Sequence, residues 1–355
     1  MPNQLALDEI HRAQGATMEE TCGWLLPAHY GDVSAEHKAV REGAGVIDRS
    51  LVGKVVVTGR DRQAFLQGML SNDVKNLAPG QGTNAAFLDA HGKVMALLHV
   101  HILEDRLLME LPPGLTEKTL GLLDKFLISE KAYFEGADET FTVLAVEGPK
   151  AEALLASLAG RTLGLAADHH VEVSIGDGPV RIVRRSETGG AGFQCWAMAF
   201  QGPALWKALV EAGAQPVGAS ALDILRVEAG IPWYGHDVDE AVILPETGLE
   251  HLVNYNKGCY IGQEVVARVK YRGHVNRALR GLVLDGDRVP GTGARLVVED
   301  KEIGRITSSV RSLALGRPIA LGYVRREHFA TGTAVTVQDD QGYIPARVSD
   351  LPIVK

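Results

Sequence analysis

The sequence predicts an α+β protein: two ferredoxin-like α/β units followed by a small C-terminal antiparallel β-barrel. Three observations carry this. Residues 54–134 run strand, helix, three strands, helix, strand, the order of a sheet with helices on one face. A similar order recurs over residues 142–227, in topology rather than in sequence. After Arg280 the texture changes to short strands at close spacing, punctuated by Gly and Pro, as in a small barrel. The boundaries that follow are an N-terminal segment 1–50 packing on the second unit, a first unit 51–136, a second unit with its linker 137–274, and a barrel 275–355.

Residues 1–33 give little signal beyond a packed Cys22-Gly23-Trp24-Leu25-Leu26-Pro27 run. Ser34 is positioned to cap a short helix through Glu42, and Gly43-Ala44-Gly45 breaks it. Lys54–Thr58 is β-branched and reads as a strand. Asp61 is placed to cap a helix Arg62–Leu70 whose Phe65, Leu66, Met69 and Leu70 share one face. Strands Thr83–Leu88 and Val94–Leu103 flank a His91-Gly92-Lys93 turn, and Leu107–Leu111 follows; Thr116–Leu127 is amphipathic, and a strand lies near Lys131–Phe134. The second unit reads as strand Thr142–Val146, helix Pro149–Leu158, strands Val171–Ile175, Val180–Arg184 and Gly192–Phe200, then helices Pro203–Ala212 and Ala219–Val227. Six strands between Leu282 and Val348 make the barrel.

With 355 residues, two or three domains are expected. Hydrophobic content of 46%, charged content of 23% and a net charge of −8 describe a soluble globular protein and argue against a general nucleic-acid coat. Cys22, Cys195 and Cys259 are odd in number and far apart, so they form neither a disulfide framework nor a Cys-x-x-Cys metal site. A cytoplasmic location fits, since no signal peptide is visible and no run nears the ~20 apolar residues of a membrane span. The chain is expected to be a monomer, with no membrane partner and no stably bound metal.

The densest chemistry lies in Asn256-Lys257-Gly258-Cys259-Tyr260-Ile261-Gly262-Gln263-Glu264, leading into an apolar, helix-compatible run. Cys259 is expected at or just before a helix start, where unpaired N–H groups favour an anion. Lys257, two residues back, shares its face in an extended segment; both features draw a thiol toward thiolate. The competing reading is a buried cysteine behaving as a small hydrophobe. From Lys257 to Arg280, six Lys or Arg face one acid, Glu264. Arg268, Lys270 and Arg272 alternate, which puts them on one side of a strand, where an anionic ligand tail, an RNA backbone or an acidic protein would be received.

The run Lys257-Gly258-Cys259-Tyr260-Ile261-Gly262-Gln263-Glu264 resembles the signature of YgfZ-type folate-binding proteins, relatives of the glycine-cleavage T-protein, an aminomethyltransferase. Ala221–Pro232 is a second match, and Ser71-Asn72-Asp73-Val74 resembles a folate-lining element, although Asn and Asp also form turns. The barrel matches the C-terminal domain of that family, giving a T-protein-like three-domain arrangement. The resemblance implies tetrahydrofolate or a derivative as cofactor. It also implies Asn72, Asp73, Arg226, Glu228, Trp233, Tyr234, Gln263 and Glu264 as candidate folate-site residues, with Cys259 the functional thiol and Lys257 its activator. Glu228 has a structural alternative, an ion pair with Arg226 or Lys257, and Trp233 and Tyr234 the alternative of core packing.

Departures limit the carry-over. Where the T-protein has an aspartate that supports methylene transfer, His91-Gly92-Lys93-Val94-Met95-Ala96-Leu97-Leu98 holds no carboxylate. Where it has a pterin-bonding acid, Thr188-Gly189-Gly190-Ala191-Gly192 presents glycine. With both acids missing, aminomethyl transfer is disfavoured, and the resemblance to YgfZ-type proteins implies a folate-binding accessory factor for assembly or repair of iron–sulfur clusters in client enzymes, including tRNA-modifying ones, with iron–sulfur client or assembly proteins as partners. The alternatives are a folate-dependent one-carbon (aminomethyl) transferase and an RNA-binding module.

Overall fold

The computed structural model describes residues 2–21, 23–176 and 178–355, so the packing expected of Cys22 lies outside the described residues. The fold is mixed α+β and ends in a closed six-stranded antiparallel barrel, as the sequence predicts. The chain forms two compact units, one of residues 1–85 and 98–222, the other of residues 86–97 and 223–355.

In the first unit, a six-stranded sheet runs in the order His170–Ile175, Gly178–Val183, Gly192–Met198, Phe141–Glu147, Gly45–Asp48, Gln215–Pro216. The Gly43–Ser50 stretch is thus more than a helix breaker: Gly45–Asp48 pairs antiparallel with Phe141–Glu147 and is buried throughout. A five-stranded sheet runs Gly82–Leu88, Val94–Ile102, Leu107–Leu111, Gly53–Thr58, Tyr133–Gly136; residues 86–97 of its first two strands belong to the other unit. Val56 and Leu108 from this sheet pack against Val143, Val183 and Trp196 of the six-stranded one. Leu107–Leu111 is buried at every position, which explains its near-continuous apolar run. The N-terminal residues that gave little signal form a small sheet of Asn3–Gln4, Trp24–His29 and Thr17–Thr21.

Two cap assignments shift. Helix Val33–Glu42 is capped by Asp32, whose carboxylate accepts from the Ser34 N–H, rather than by Ser34. Asp61 precedes helix Arg62–Met69, but its carboxylate accepts from the Lys131 N–H instead of capping.

In the second unit, the barrel strands are Arg277–Leu284, Arg295–Val298, Lys301–Ser312, Arg317–Arg325, Ala334–Asp339 and Gly342–Ser349. Leu282, Leu296, Ile306, Val324 and Val337 fill its interior. Residues 268–272 are not a strand: Gln263–Arg272 is a helix, so the three cations do not share one sheet face. Its start is dictated by Gly262, at φ 82°, where a Cβ would come 2.6 Å from the Asp89 carbonyl oxygen. Among the described residues, no helix is long and apolar enough to cross a membrane.

Candidate functional site

The first unit buries a charged layer between its six-stranded and five-stranded sheets. In the six-stranded sheet Gln194 and Trp196 are two positions apart and therefore share a face. In the five-stranded sheet His101 pairs with Leu108 and His99 with Glu110, which places His101 and Glu110 on one face as diagonal neighbours. The segment joining strands Gly178–Val183 and Gly192–Met198 contributes Arg185 and Glu187. The Arg185 guanidinium pairs with Glu110, and Arg49 Nε lies 2.8 Å from Glu187 Oε2. The Gln194 amide bridges the two acids, donating from Nε2 to Glu187 Oε1 at 3.1 Å and to Glu110 Oε1 at 3.4 Å. Its oxygen accepts from Trp196 Nε1 at 3.3 Å, which fixes the amide orientation. Burial pushes the Glu187 carboxyl up, but Arg49 and Arg185 outweigh it and leave it below the ordinary carboxylate range. Burial likewise works against the Arg185 cation, yet Glu110 and Glu187 raise its pKa.

Several polar atoms of this layer have no hydrogen-bond partner among the described residues: Glu110 Oε2, Asn84 Oδ1 and both ring nitrogens of His101. Buried polar atoms are normally paired, and such a cluster marks a place where a polar ligand or ordered water belongs. Protonation states follow from geometry. Arg181 Nη1 sits 3.0 Å from His170 Nδ1, and a guanidinium only donates, so neutral His170 carries its proton on Nε2. Burial lowers His170 to about 4. His101 is pushed down by burial, then by His170, Arg185 and Arg181. Near neutral pH the layer therefore presents an N–H and a lone pair from His101 and lone pairs from Glu110 and Asn84, while the His170 N–H is turned to the Ile102 and Gln81 carbonyls.

The support behind this layer is specific. Glu147 is fully buried and accepts from Ser186 Oγ at 2.7 Å, Thr188 Oγ1 at 2.7 Å and the Glu187 N–H at 2.9 Å. It thereby grips the segment that carries Arg185 and Glu187. Asn72 joins the same network, its Nδ2 donating to the Asn84 carbonyl at 2.9 Å while Asn84 Nδ2 donates to Asp168 at 3.1 Å. Asp73 instead closes a turn through Asn76 Nδ2 at 2.7 Å, the local role open to an Asp there.

The other sequence candidates lie in the second unit. Arg226 is buried and committed to protein partners: Nε donates to Asp223 at 2.8 Å, Nη1 to Asp237, and Nη2 to Ser308 Oγ at 2.7 Å. Trp233 lies against this guanidinium, 4.8 Å from its ring centre. Glu228 is fully buried and accepts from Ser312 Oγ at 2.6 Å and the Ala314 N–H at 3.0 Å, so it fastens helix Ala219–Glu228 to a barrel hairpin. The Tyr234 hydroxyl reaches the Val94 carbonyl at 3.4 Å.

Cys259 is exposed, which removes the reading of a buried hydrophobe. It lies in an irregular segment ahead of the helix, which begins only at Gln263, and the Lys257 ammonium sits 5.1 Å from the Tyr260 ring centre. Glu264 pairs one turn along with Arg268 at 2.5 Å, and Lys270 with Glu250 at 2.8 Å, so part of the basic run is locally neutralised.

Glu110, Arg185, Glu187, Gln194, His101 and Asn84 were not singled out from sequence. A signal existed for Glu110, the lone charge in the apolar run Leu107-Leu108-Met109-Glu110-Leu111.

Comparison with known proteins gives a consistent result. Residues 7–257 match the GCVT N-terminal domain, and residues 277–355 the glycine cleavage T-protein C-terminal barrel domain. An aminomethyltransferase of Streptomyces avermitilis is 34% identical, covering 100% of this chain and 98% of its own. One from Rubrobacter xylanophilus is 33% identical over 98% of this chain and 93% of its own. The crystal structure of glycine cleavage system aminomethyltransferase T from Bartonella henselae superposes with a TM-score of 0.92 at 27% identity, covering 100% of this chain and 98% of that one. These full-length relationships overturn the iron–sulfur accessory role favoured from sequence and support its alternative, the one-carbon transferase.

Proposed function

Because the chain belongs to the glycine-cleavage T-protein family, we propose that it is a tetrahydrofolate-dependent transferase that moves a one-carbon unit from an aminomethyl donor to the folate. The observation that carries this reading is end-to-end similarity to aminomethyltransferases at about a third identity. The charged layer of the first unit fits the cofactor chemically. A reduced pterin edge carries N–H donors beside acceptor atoms, and the layer offers lone pairs on Glu110 and Asn84 with an N–H group on His101. Those residues would hold the ring. Bound folate supplies the amine nitrogens that accept the one-carbon unit; the protein's part is to orient the ring and exclude water from it.

Within the family, we place the chain nearer to YgfZ-type members on the octapeptide Lys257–Glu264 alone. In this reading the exposed Cys259 thiol is a reactive group of the second unit, with Lys257 beside it in sequence, while Arg226 and Glu228 hold the frame of that unit.

Titrating the full chain with tetrahydrofolate, and measuring ammonia release from an aminomethyl donor in its presence, tests the proposal. Saturable binding with folate-dependent ammonia release is expected. No binding at millimolar tetrahydrofolate would overturn it.

A further inference from the structure

We propose that Glu110 is the carboxylate that recognises the exocyclic 2-amino group of the bound pterin, a role for which Gly190 offers no acid. This rests on the folate reading above.

Glu110 is 3% exposed, in a strand whose other members are Leu and Met. Burying a carboxylate there costs several kcal/mol before any partner is counted. Arg185 offsets that cost, but only at one oxygen. Oε1 takes the Arg185 and Gln194 donors, whereas Oε2 is buried and has no partner among the described residues. A carboxylate present only to balance Arg185 would be expected to use both oxygens in a two-point pair. Here the guanidinium holds the group from one side and leaves a charged acceptor on the other.

The neighbours do not provide a donor to that oxygen. Gln194 Nε2 is divided between Oε1 of Glu110 and Glu187, and its carbonyl is held by Trp196. A ligand that meets Oε2 must therefore bring an N–H or O–H. With one oxygen available, recognition is of a single donor, and in a 2-amino-4-oxo pteridine the most projecting donor is the 2-amino group. A polar ring lacking that group would leave Oε2 desolvated and unpaired, the situation in which a hydrogen-bonding site discriminates most strongly.

The experiment compares tetrahydrofolate with its 2-desamino analogue on wild type and Glu110→Gln, with near-UV circular dichroism confirming that the variant is folded. Wild type is expected to bind the parent roughly 10- to 100-fold more tightly than the analogue, the range for a hydrogen bond to a charged group. Glu110→Gln should lose most of that preference while binding the analogue within about twofold of wild type. Equal loss for both compounds would show that Glu110 only braces the layer and would overturn the inference. So would unchanged discrimination. Wild type that binds neither compound refutes the folate reading itself, whereas wild type that binds both equally refutes only the role of Glu110. If Glu110→Gln does not fold, Glu110→Asp keeps the charge, withdraws the oxygen, and carries the same comparison.

Discussion

Glu147 offers a quantitative test of how the candidate site is held together. Its carboxyl is fully buried, and burial raises it to about 7 even though the Glu187 N–H and the hydroxyls of Ser186 and Thr188 donate to it. A group whose folded-state pKa lies above its unfolded value takes up a proton on folding. Its contribution is full below the unfolded value of 4.5 and is lost as pH rises through about 7. Integrating over that window gives a change of about 2–3 kcal/mol between pH 5 and pH 8, with stability falling as pH rises. Other carboxylates, including the depressed Glu187, act in the opposite sense at low pH, so wild type alone is not diagnostic. The informative quantity is the difference between wild type and Glu147→Gln in urea-unfolding free energy, measured at several pH values. It should move in favour of the variant by about 2–3 kcal/mol from pH 5 to pH 8. A difference flat to within about 0.5 kcal/mol would refute the assignment of a buried, proton-binding Glu147, since one such group sets a slope approaching 1.36 kcal/mol per pH unit.

Two further outcomes concern the second unit. Asp237 accepts from Arg226, the Trp233 N–H at 3.0 Å, Thr307 Oγ1 and Ser308 Oγ, so Asp237→Ala should cost about 3–5 kcal/mol in urea unfolding by stripping a buried guanidinium of its main counter-charge. A loss under about 1 kcal/mol would mean that Asp223 alone balances Arg226. Gly262→Ala forces a Cβ toward the Asp89 carbonyl oxygen and a left-handed backbone at φ 82°. A loss of about 1–3 kcal/mol by thermal or urea melting is expected, and a neutral substitution would contradict this helix start.

The parts legible in the sequence were those set by local punctuation and period. Six barrel strands follow from Gly and Pro spacing and from β-branched runs, and most helices begin and end within a few residues of where their apolar faces predict. Residues 268–272 show how local reading fails. Arg268-Val269-Lys270-Tyr271-Arg272 alternates well enough for a strand, but the segment is entered from a left-handed glycine, and its Glu264 lies one helical turn from Arg268. The helix puts Val266 inward and satisfies two of the cations with acids, neither of which alternation alone can reveal.

The charged layer was illegible for a different reason. Its pairings span 75 residues from Glu110 to Arg185 and 84 from Glu110 to Gln194, and no period or motif links positions so far apart. Where the family keeps its acids the chain has Met95, Ala96 and Gly190, from which the sequence reading infers that transfer chemistry is lost. That inference assumed that a carboxylate must come from a fixed place in the chain. A ligand responds only to where the oxygen ends up. A neighbouring strand of the same sheet, or the far side of a loop, can deliver an acid to the same space, provided that another residue offsets its burial. Here Glu110 and Glu187 are buried acids with Arg185 and Arg49 as their counter-charges. Loss of an acidic motif in this family is therefore evidence against activity only after the buried carboxylates of the neighbouring strands have been accounted for. The 2-amino discrimination of the Glu110 variant makes that account measurable.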